Sequence, residues 1–425
     1  MVIALRLGSK PPPIFATRAV TAVALLQAGA FLALVTRTAV LRPVRDMFSW
    51  IGAYLQRDSH AGWLAYLWQP HNEHHLVLIR LLTAAAVSFC RGNGEPFVAA
   101  ATSALLGAAW LLFAAWRAQP APRRVLAPLS PMLLLTTPAA ADCAMPVNAV
   151  YPLALFFIIA AITLFDGESE RTPRTPWRRA TACAAALLAS LASGVGLVAI
   201  PALLWTAWRG GARSWLVPLA LAAAAYGALY IQGLPIQIPA PASPGHILKM
   251  ADYAIAFAGL PLSRMPSCAG LARIIGALLI AFGLVALARD AIRRNDISRL
   301  HRISLALIIA GLAATALASA GRVDLAPNIQ LPLRYALMVA PLQIGLLGWF
   351  ICTQRTFHIR AGYALAATIL LLQIATASAL IAASDAISAT LDRYDSGYRD
   401  PSMQQVIFPD LATADRITAE LHQQN

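Results

Sequence analysis

Long apolar runs separated by short polar connections constrain the fold of this chain more than any motif does. The runs are rich in Ala and Leu and lack period-2 alternation, which favours membrane helices over barrel strands. With 59% hydrophobic and only 12% charged residues, the chain has too little charged surface for a soluble protein of 425 residues. The predicted spans are residues 18–40, 97–116, 125–141, 148–165, 180–193, 195–208, 215–231, 271–288, 303–320, 335–352 and 360–383. We therefore expect an all-α polytopic membrane protein with about 11 transmembrane helices.

Charged residues divide unevenly between the two sides that these spans define. If the N-terminus is cytoplasmic, the inside segments carry a net charge of +14 and the outside segments a net charge of −1. Lys and Arg concentrate on the cytoplasmic side of membrane proteins. The sequence therefore predicts a cytoplasmic N-terminus and a C-terminus on the outer side. Because the basic residues lie in short loops between spans, the overall charge does not indicate a nucleic-acid partner.

Two apolar segments are ambiguous as spans. Residues 75–90 are apolar but number only about 15, fewer than the roughly 20 that a crossing needs. We expect them to form an amphipathic or re-entrant helix at the outer surface. Residues 180–208 have basic residues at both ends, which requires an even number of crossings. We expect two short helices broken at Ser193-Gly194-Val195-Gly196, and full crossing by these two helices is left open.

The polar exception in this apolar chain is the first outer loop, residues 41–96. It belongs to a predicted transmembrane domain, residues 1–383, which is followed by a short polar tail, residues 384–425. The loop carries Asp46 and the run His71-Asn72-Glu73-His74-His75. Carboxylates and imidazoles of this kind suit general acid/base chemistry or a divalent metal ion.

Each of these polar groups also has a purely structural interpretation. Asp46 could be an interfacial acid that pairs with Arg42 or Arg45. Asn72 could cap the helix that follows, with Glu73 in its first turn. The two clusters in one loop favour chemistry over these interpretations.

Several arginines on the predicted outer side are candidate phosphate ligands. Arg80 lies two helical turns after Glu73 and would share its face, although it could instead only extend toward the interface. Arg334, followed by Tyr335, opens a span at the outer side, and Arg322 lies at the end of the preceding span. Arg334 either pairs with Asp324 or binds a lipid phosphate through two donors.

The order of these features resembles the plan of GT-C-fold glycosyltransferases: a first span, an acid directly after it, a long outer loop with surface helices, and many further spans. HNEHHLVLIRLL is similar to the Asn-Glu-His-Arg stretch of a group of bacterial multi-spanning proteins, and GRVDLAPNIQLPLRY resembles their Gly-Arg … Arg-Tyr stretch. VIFPDLATADRITAEL resembles their tail. In this chain His75 stands at the Arg position, and Met47 rather than a second acid follows Asp46.

The resemblance implies inverting transfer of a sugar from a polyprenyl-phosphate donor to a glycan, lipid or protein acceptor of the cell envelope. The reaction would occur at the outer face of a bacterial inner membrane, among membrane lipids. Asp46 would act on the acceptor hydroxyl, and Glu73 with His74 would position the donor or hold Mg²⁺ or Mn²⁺. The other implied site residues are the phosphate-binding Arg80, Arg322, Arg334 and Tyr335 and the supporting His71 and Asn72.

Two other functions remain open from the sequence. A transporter or lipid flippase would use broken helices, and the break at Ser193 to Gly196 fits this function. It would also use charges at the bilayer midplane, and these are nearly absent from the predicted spans. The third function is that of a non-catalytic partner in envelope glycan assembly.

Overall fold

The computed structural model describes residues 14–57, 62–72, 74–118, 124, 127–165, 176–210, 212–234, 243–260, 269–292, 298–323, 333–353 and 358–424. The described residues are nearly all helical, which confirms the predicted all-α class. Glu73 and Asp324, which the sequence proposes as a site residue and as an ion-pair partner, lie outside them.

Seventeen α-helices and one short hairpin make up the described structure. The helices are α1 (Ile14–Thr38), α2 (Asp46–Leu55), α3 (Gly62–Trp68), α4 (Val77–Cys90), α5 (Glu95–Arg117), α6 (Leu129–Leu134), α7 (Thr137–Ala144), α8 (Val150–Phe165), α9 (Pro176–Ala192), α10 (Ala199–Arg209), α11 (Leu216–Tyr230), α12 (Pro244–Ala258), α13 (Ala269–Ile292), α14 (Arg299–Arg322), α15 (Ala336–Thr353), α16 (His358–Asp395) and α17 (Leu411–Gln424). The hairpin pairs β1 (Pro70–His71) with β2 (His74–His75) in antiparallel register.

Six of the described helical segments are long and apolar enough to cross a bilayer. A crossing needs about 20 residues because a helix rises about 1.5 Å per residue. The six segments are Arg18–Thr38, Glu95–Arg117, Pro146–Phe165, Ala269–Ile292, Arg299–Arg322 and Ile374–Asp395. Shorter apolar helices cover Val77–Cys90, Gly194–Arg209 and Ala336–Cys352. The structure thus has the helices of a multi-pass membrane protein.

One end of the helix bundle, here called the hairpin face, gathers the hairpin and the chain segments around α2. The Val40 amide donates to the Ala144 carbonyl at 2.9 Å, and the Gly94 amide donates to the Leu41 carbonyl at 2.5 Å. These bonds join the chain after α1 to the end of α7 and the start of α5. At the end of α11, Tyr230 packs edge-on to His75 of the hairpin, with ring centroids 5.2 Å apart.

The other end of the bundle is here called the basic face, because arginines lie at several helix ends there. Arg209 at the end of α10 contacts Asp290 near the end of α13 at 2.9 Å. Arg299 at the start of α14 donates to the Thr163 carbonyl near the end of α8 at 3.5 Å. The Arg179 guanidinium on α9 lies over the Phe165 ring, 5.8 Å from its centroid. Helices α8, α10 and α13 therefore end at this face, and α9 and α14 begin there.

The predicted break between α9 and α10 is present and turns the chain against the hairpin. Helix α9 ends at Ala192, a short 3-10 turn covers Gly194–Val198, and α10 begins at Ala199. A Cβ on Gly194 would collide with the His74 ring, and one on Gly196 would collide with the Ala189 backbone. Only glycine allows this close approach of the two backbones at the turn.

The segment predicted as one span at residues 125–141 forms two short helices instead, α6 and α7. The side-chain amide of Gln27 on α1 donates to the Met132 and Leu135 carbonyls, each at 2.8 Å. These carbonyls lie at the end of α6, where the helix leaves them without a helical partner. A polar side chain within an apolar helix therefore stabilises a break that hydropathy does not predict.

Helix α4 begins at Val77, which corrects two details of the sequence interpretation. Its N-cap residue is Leu76, and no side chain caps it, so Asn72 is not the cap. Asn72 instead occupies the hairpin turn with φ of 52°. Because α4 begins only at Val77, the helix predicted over residues 75–90, which would carry Arg80 two turns after Glu73, starts later than expected, and Glu73 itself lies outside the described residues. The helix buries Ile79 and exposes 85% of Phe89, as an amphipathic surface helix does.

The tail folds back onto the first loop. Helix α16 continues to Asp395, beyond the predicted end of the last span at residue 383. Phe408 packs against Phe48 of α2, with ring centroids 5.9 Å apart. Arg399 donates to Asp415 of α17 at 2.7 Å and so holds this helix against the chain that precedes it.

Candidate active site

Asp46 is the first residue of α2 and follows a backbone outlier. Arg45 has φ of 49° and ψ of −126°, a conformation that side-chain-bearing residues rarely adopt. The Arg45 amide donates to the Ile407 carbonyl, so the tail holds this conformation in place. Strained residues of this kind cluster at functional sites. At the N-terminus of α2, the Asp46 carboxylate also faces the positive end of the helix dipole.

His71 of the hairpin is the nearest titratable partner of Asp46. Its Nε2 atom lies 3.8 Å from Asp46 Oδ2, longer than a direct hydrogen bond. His71, followed by the charges of Arg334 and Arg45, outweighs burial and lowers the pKa of Asp46 below its usual range. The Asp46 side chain is 58% exposed. An ionised, accessible carboxylate beside an imidazole is equipped to accept a proton.

Arg334 supplies the positive charge opposite Asp46. It lies in a 3-10 turn at the start of α15, over the Tyr335 ring at 5.6 Å from the centroid. Burial works to lower the pKa of Arg334, but Tyr151, Tyr335 and Asp46 raise it above its usual value, so the guanidinium stays charged. Within the described part of the chain, its buried Nε has no hydrogen-bond acceptor. Arg334 therefore has a donor to offer an anion.

Asp142, which the sequence reasoning missed, belongs to the same group. It lies near the end of α7 with 1% of its surface exposed, and Asn148 donates to its Oδ1 at 3.1 Å. Its Oδ2 is buried without a partner among the described residues. Burial raises the pKa of Asp142 despite the opposing charge of Arg334. The sequence signal was an acid in the short predicted outer connection between two spans.

Arg322 and the aromatic residues complete one wall of the site. Tyr335 packs edge-on to Tyr151 at 5.7 Å between centroids and tilts against Phe257 at 6.0 Å. Arg322, at the end of α14, interacts electrostatically with Tyr151 and with Tyr253. Arg322 and Arg334, which the sequence places at neighbouring helix ends, therefore lie near the same group of aromatic side chains.

Other candidate residues lie apart from Asp46. The Arg80 side chain is buried, donates to the Gln69 carbonyl at 3.1 Å and lies over the Tyr66 ring at 5.0 Å. His75 is fully buried, stacks on Trp68 at 4.4 Å and contacts the Trp68 carbonyl at 2.6 Å. His74 faces the helix break at Gly194. These contacts build the hairpin and its base.

Of the predicted metal ligands Glu73 and His74, only His74 is among the described residues, and it faces the helix break at Gly194. Glu73 lies outside the described residues. Within those residues, no group of three or more His, Cys, Asp or Glu side chains is close enough to hold a metal ion. Asp46 and His71 form only a pair.

Comparison with protein families, curated proteins and solved structures finds no match to this chain. The class defined by fold and site is a multi-pass helical membrane protein with an acid, an imidazole and a guanidinium at one face. Among the described residues, an ionised carboxylate and a charged guanidinium lie near each other without a direct ion pair between them. Its chemical capacity is to deprotonate one group while neutralising an anion beside it.

Proposed function

We propose that this protein transfers a sugar from a polyprenyl-phosphate donor to a cell-envelope acceptor at the outer face of a bacterial inner membrane. The observation that carries the proposal is the ionised, accessible Asp46 with the charged Arg334 acting on it. A glycosyl transfer from a lipid phosphate needs both groups, since a hydroxyl loses a proton while a phosphate gains charge.

In the proposed reaction, the acceptor hydroxyl gives its proton to the Asp46 carboxylate. The hydroxyl oxygen forms a bond to the anomeric carbon of the donor sugar as the bond from that carbon to the phosphate oxygen breaks. The electron pair leaves with the phosphate, and Arg334 and Arg322 stabilise its developing charge. Because attack and departure occur on opposite faces of the sugar, the anomeric configuration inverts.

His71 orients Asp46 in this proposal, and Tyr335 fixes the plane of the Arg334 guanidinium beneath the phosphate. Asp142, whose pKa is raised by burial, interacts by charge with Arg334 and in this proposal helps to position its guanidinium. Glu73 remains a proposed donor-positioning residue, with His74 and Asn72 supporting the hairpin that carries it.

The helix ends that meet at each of the two faces support a GT-C-like arrangement with eleven crossings. Five shorter elements would then cross beside the six long helices: α6 with α7, α9, α10, α11 and α15. The hairpin face becomes the outer, periplasmic side, together with the tail. The helix break that favoured a transporter lies against the hairpin rather than at the bilayer midplane, which weakens the support for transport.

The direct test reconstitutes the full chain in proteoliposomes with a panel of polyprenyl-phosphate sugars that carry a radiolabelled sugar. An envelope extract supplies the acceptor, and release of polyprenyl phosphate with transfer of label is measured. We expect turnover by the natural sequence and a loss of roughly 10²–10⁴-fold in Asp46→Asn, because the general base is removed.

Asp252→Asn is the matched control. Asp252 is a partly exposed acid that Arg273 holds in an ion pair at 2.8 Å. This variant should retain full turnover. Full transfer by Asp46→Asn would contradict the assignment of the base. Movement of labelled lipid across the vesicle without any glycan product would favour a flippase instead.

A further inference from the structure

A cavity with a mixed polar and apolar lining lies on the hairpin face beside the candidate active site. It has a volume of about 470 Å³ and is open on one side. Helices α2 and α3 form two of its walls, and the tail with α17 forms the third.

Small residues create this space. Gly52 and Ala53 face the cavity from α2, and Ala65 faces it from α3. Ile417 of α17 packs so closely that a Cβ on Gly52 would lie 3.0 Å from its Cδ1 atom. The tail therefore closes the cavity by direct packing on α2.

Two arginines give the cavity a positive charge. Arg57 is held in position, since its guanidinium lies over the rings of Tyr54 at 4.2 Å and Trp63 at 5.3 Å. Arg416 is exposed on α17. The nearby Asp410 accepts from the Ala412 amide at 3.1 Å and from the Thr413 hydroxyl at 2.5 Å, and it also interacts by charge with Arg416. The lining residues include no carboxylate.

The remaining lining groups suit a sugar ring. Phe408 offers a partly exposed aromatic ring, and the buried rings of Phe48 and Tyr66 line the cavity beside it. Gln56 and Gln69 offer amides that both donate and accept. Sugar rings present apolar C–H faces and hydroxyl edges to such mixed surfaces. The volume falls in the range of about 300–1,000 Å³ that is usual for small-molecule sites.

The cavity lies along the same helix that begins with Asp46. Ser49 and Ala53 follow Asp46 at i+3 and i+7, so the three residues lie along one side of α2. Ser49 is about 4.5 Å from Asp46 along the helix axis, by the rise of about 1.5 Å per residue. A chain of sugar units in the cavity would therefore lead toward the Asp46 carboxylate.

We infer that this cavity binds the acceptor and that the acceptor is an acidic saccharide, bearing carboxylate or phosphate groups that Arg57 and Arg416 recognise. The inference rests on the proposed sugar transfer, which makes the bound molecule an acceptor, and it adds the chemical class of that acceptor. The acidic groups lie between the arginines, the rings stack on the aromatic wall, and the reacting hydroxyl faces Asp46.

The test measures binding in the absence of any donor. The full chain in nanodiscs of zwitterionic lipid is titrated calorimetrically with a hexuronate oligosaccharide, a phosphorylated hexose oligomer and a neutral hexose oligomer of equal length. We expect an acidic oligomer to bind at least about tenfold more tightly than the neutral one, because charge-assisted hydrogen bonds are the strong ones. The carboxylated and phosphorylated oligomers reveal which acidic group the arginines prefer.

Three variants locate the binding. Arg57→Gln and Arg416→Gln together should weaken binding of the acidic oligomer by roughly tenfold or more and abolish its preference over the neutral one. Ala65→Trp should block binding of every oligomer by filling the cavity without changing its charge. Arg393→Gln is the matched control, because it removes a tail arginine that lies over Tyr398 outside the cavity. It should bind like the natural sequence.

The outcome is separable from that of the sugar-transfer test. Asp46→Asn should still bind the acidic oligomer, and binding without transfer in any reconstituted assay would refute the proposed reaction while leaving this site intact. Equal binding of acidic and neutral oligomers, or unchanged binding after loss of both arginines, would overturn the inference. Displacement of the oligomer by anionic phospholipid added to the nanodisc would also overturn it, since the cavity would then be a lipid site.

Discussion

The two faces of the bundle each carry an Asp, a His and an Arg, and the two groups differ in their access to solvent. On the basic face, the Asp290 side chain is fully buried, with Arg209 at 2.9 Å and His301 at 4.0 Å. On the hairpin face, the Asp46 side chain is 58% exposed and His71 lies at 3.8 Å. The same residue types therefore form one closed group and one open group.

The difference identifies what each group does. The closed group joins the ends of α10 and α13 to the start of α14, and its arginine is already engaged by the acid. In the open group, Arg334 acts on Asp46 by charge and has a buried donor that no described acceptor uses. A buried charge that is already paired belongs to the fold, because removing its partner is costly. A charge without a direct ion-pair partner is available to a substrate. The following predictions test this contrast.

The largest effect is expected at the closed group. Asp290→Asn leaves the Arg209 guanidinium without its buried counter-charge, which costs roughly 3–5 kcal/mol for a buried pair. Denaturation in detergent should show this loss, while turnover per folded molecule stays unchanged. Asp252→Asn, which breaks an exposed pair, serves as the control and should cost at most about 1 kcal/mol. Loss of turnover without loss of stability in Asp290→Asn would reverse the roles of the two faces.

Arg334→Gln should reduce turnover by roughly 10²–10³-fold, because one stabilising contact to the developing phosphate charge is lost. Its denaturation midpoint should change little. The counterpart Arg209→Gln should show the opposite pattern, with reduced stability and preserved turnover. The two variants are assayed side by side in the proteoliposome system. Equal behaviour of the two would remove the distinction between an open and a closed group.

Asp142→Asn tests whether the buried acid belongs to the open group. Because burial raises the pKa of Asp142, the folded protein binds more protons than the unfolded chain above the ordinary value of 3.8, and its stability falls as pH rises through this window. The Asn variant lacks this loss, so its stability advantage should grow from pH 4 toward neutral pH. Turnover should fall about tenfold or less through weaker positioning of Arg334. Denaturation at several pH values measures the first effect, and a stability difference independent of pH would contradict it.

His71→Gln should have a smaller effect on turnover, about tenfold or less at neutral pH. His71 is the main cause of the lowered pKa of Asp46, so its removal should raise that pKa. The base is ionised above its pKa, and the acidic limb of the pH–rate profile should therefore move to higher pH. His75→Gln, in the same hairpin but stacked on Trp68, is the control for hairpin damage. An unmoved acidic limb in His71→Gln would separate His71 from Asp46.

The smallest effect is expected for the tail. Arg399→Gln removes an exposed pair with Asp415 and should cost at most about 1 kcal/mol. The Arg399 hydrogen bond lowers the pKa of Asp415, so this attachment is present at neutral pH and is lost as pH falls through that lowered pKa. Hydrogen exchange of α17 measures the loosening, which should be smaller than that caused by Ile417→Ala. A larger effect from Arg399→Gln would mean that charge rather than packing holds the tail.

Local patterns in the sequence were sufficient for most helices and for one break. Hydropathy predicts spans because each must satisfy its backbone within its own segment, and the structure confirms helices of this kind. The glycines at 194 and 196 predict the break because their effect on the backbone is local. The interruption of residues 125–141 was not predictable, because it depends on Gln27, more than a hundred residues away.

The sequence by itself determined that an acid and several arginines occupy predicted outer segments, since charge and hydropathy assign each segment to a side. Only the tertiary structure decided which of them meet. It brings Arg334 toward Asp46, adds Asp142, and directs Arg80 into the contacts with Tyr66 and Gln69. It also closes a cavity between α2 and a tail more than 350 residues later in the chain. These proximities result from packing between distant segments, and periodicity and composition carry no information about such packing.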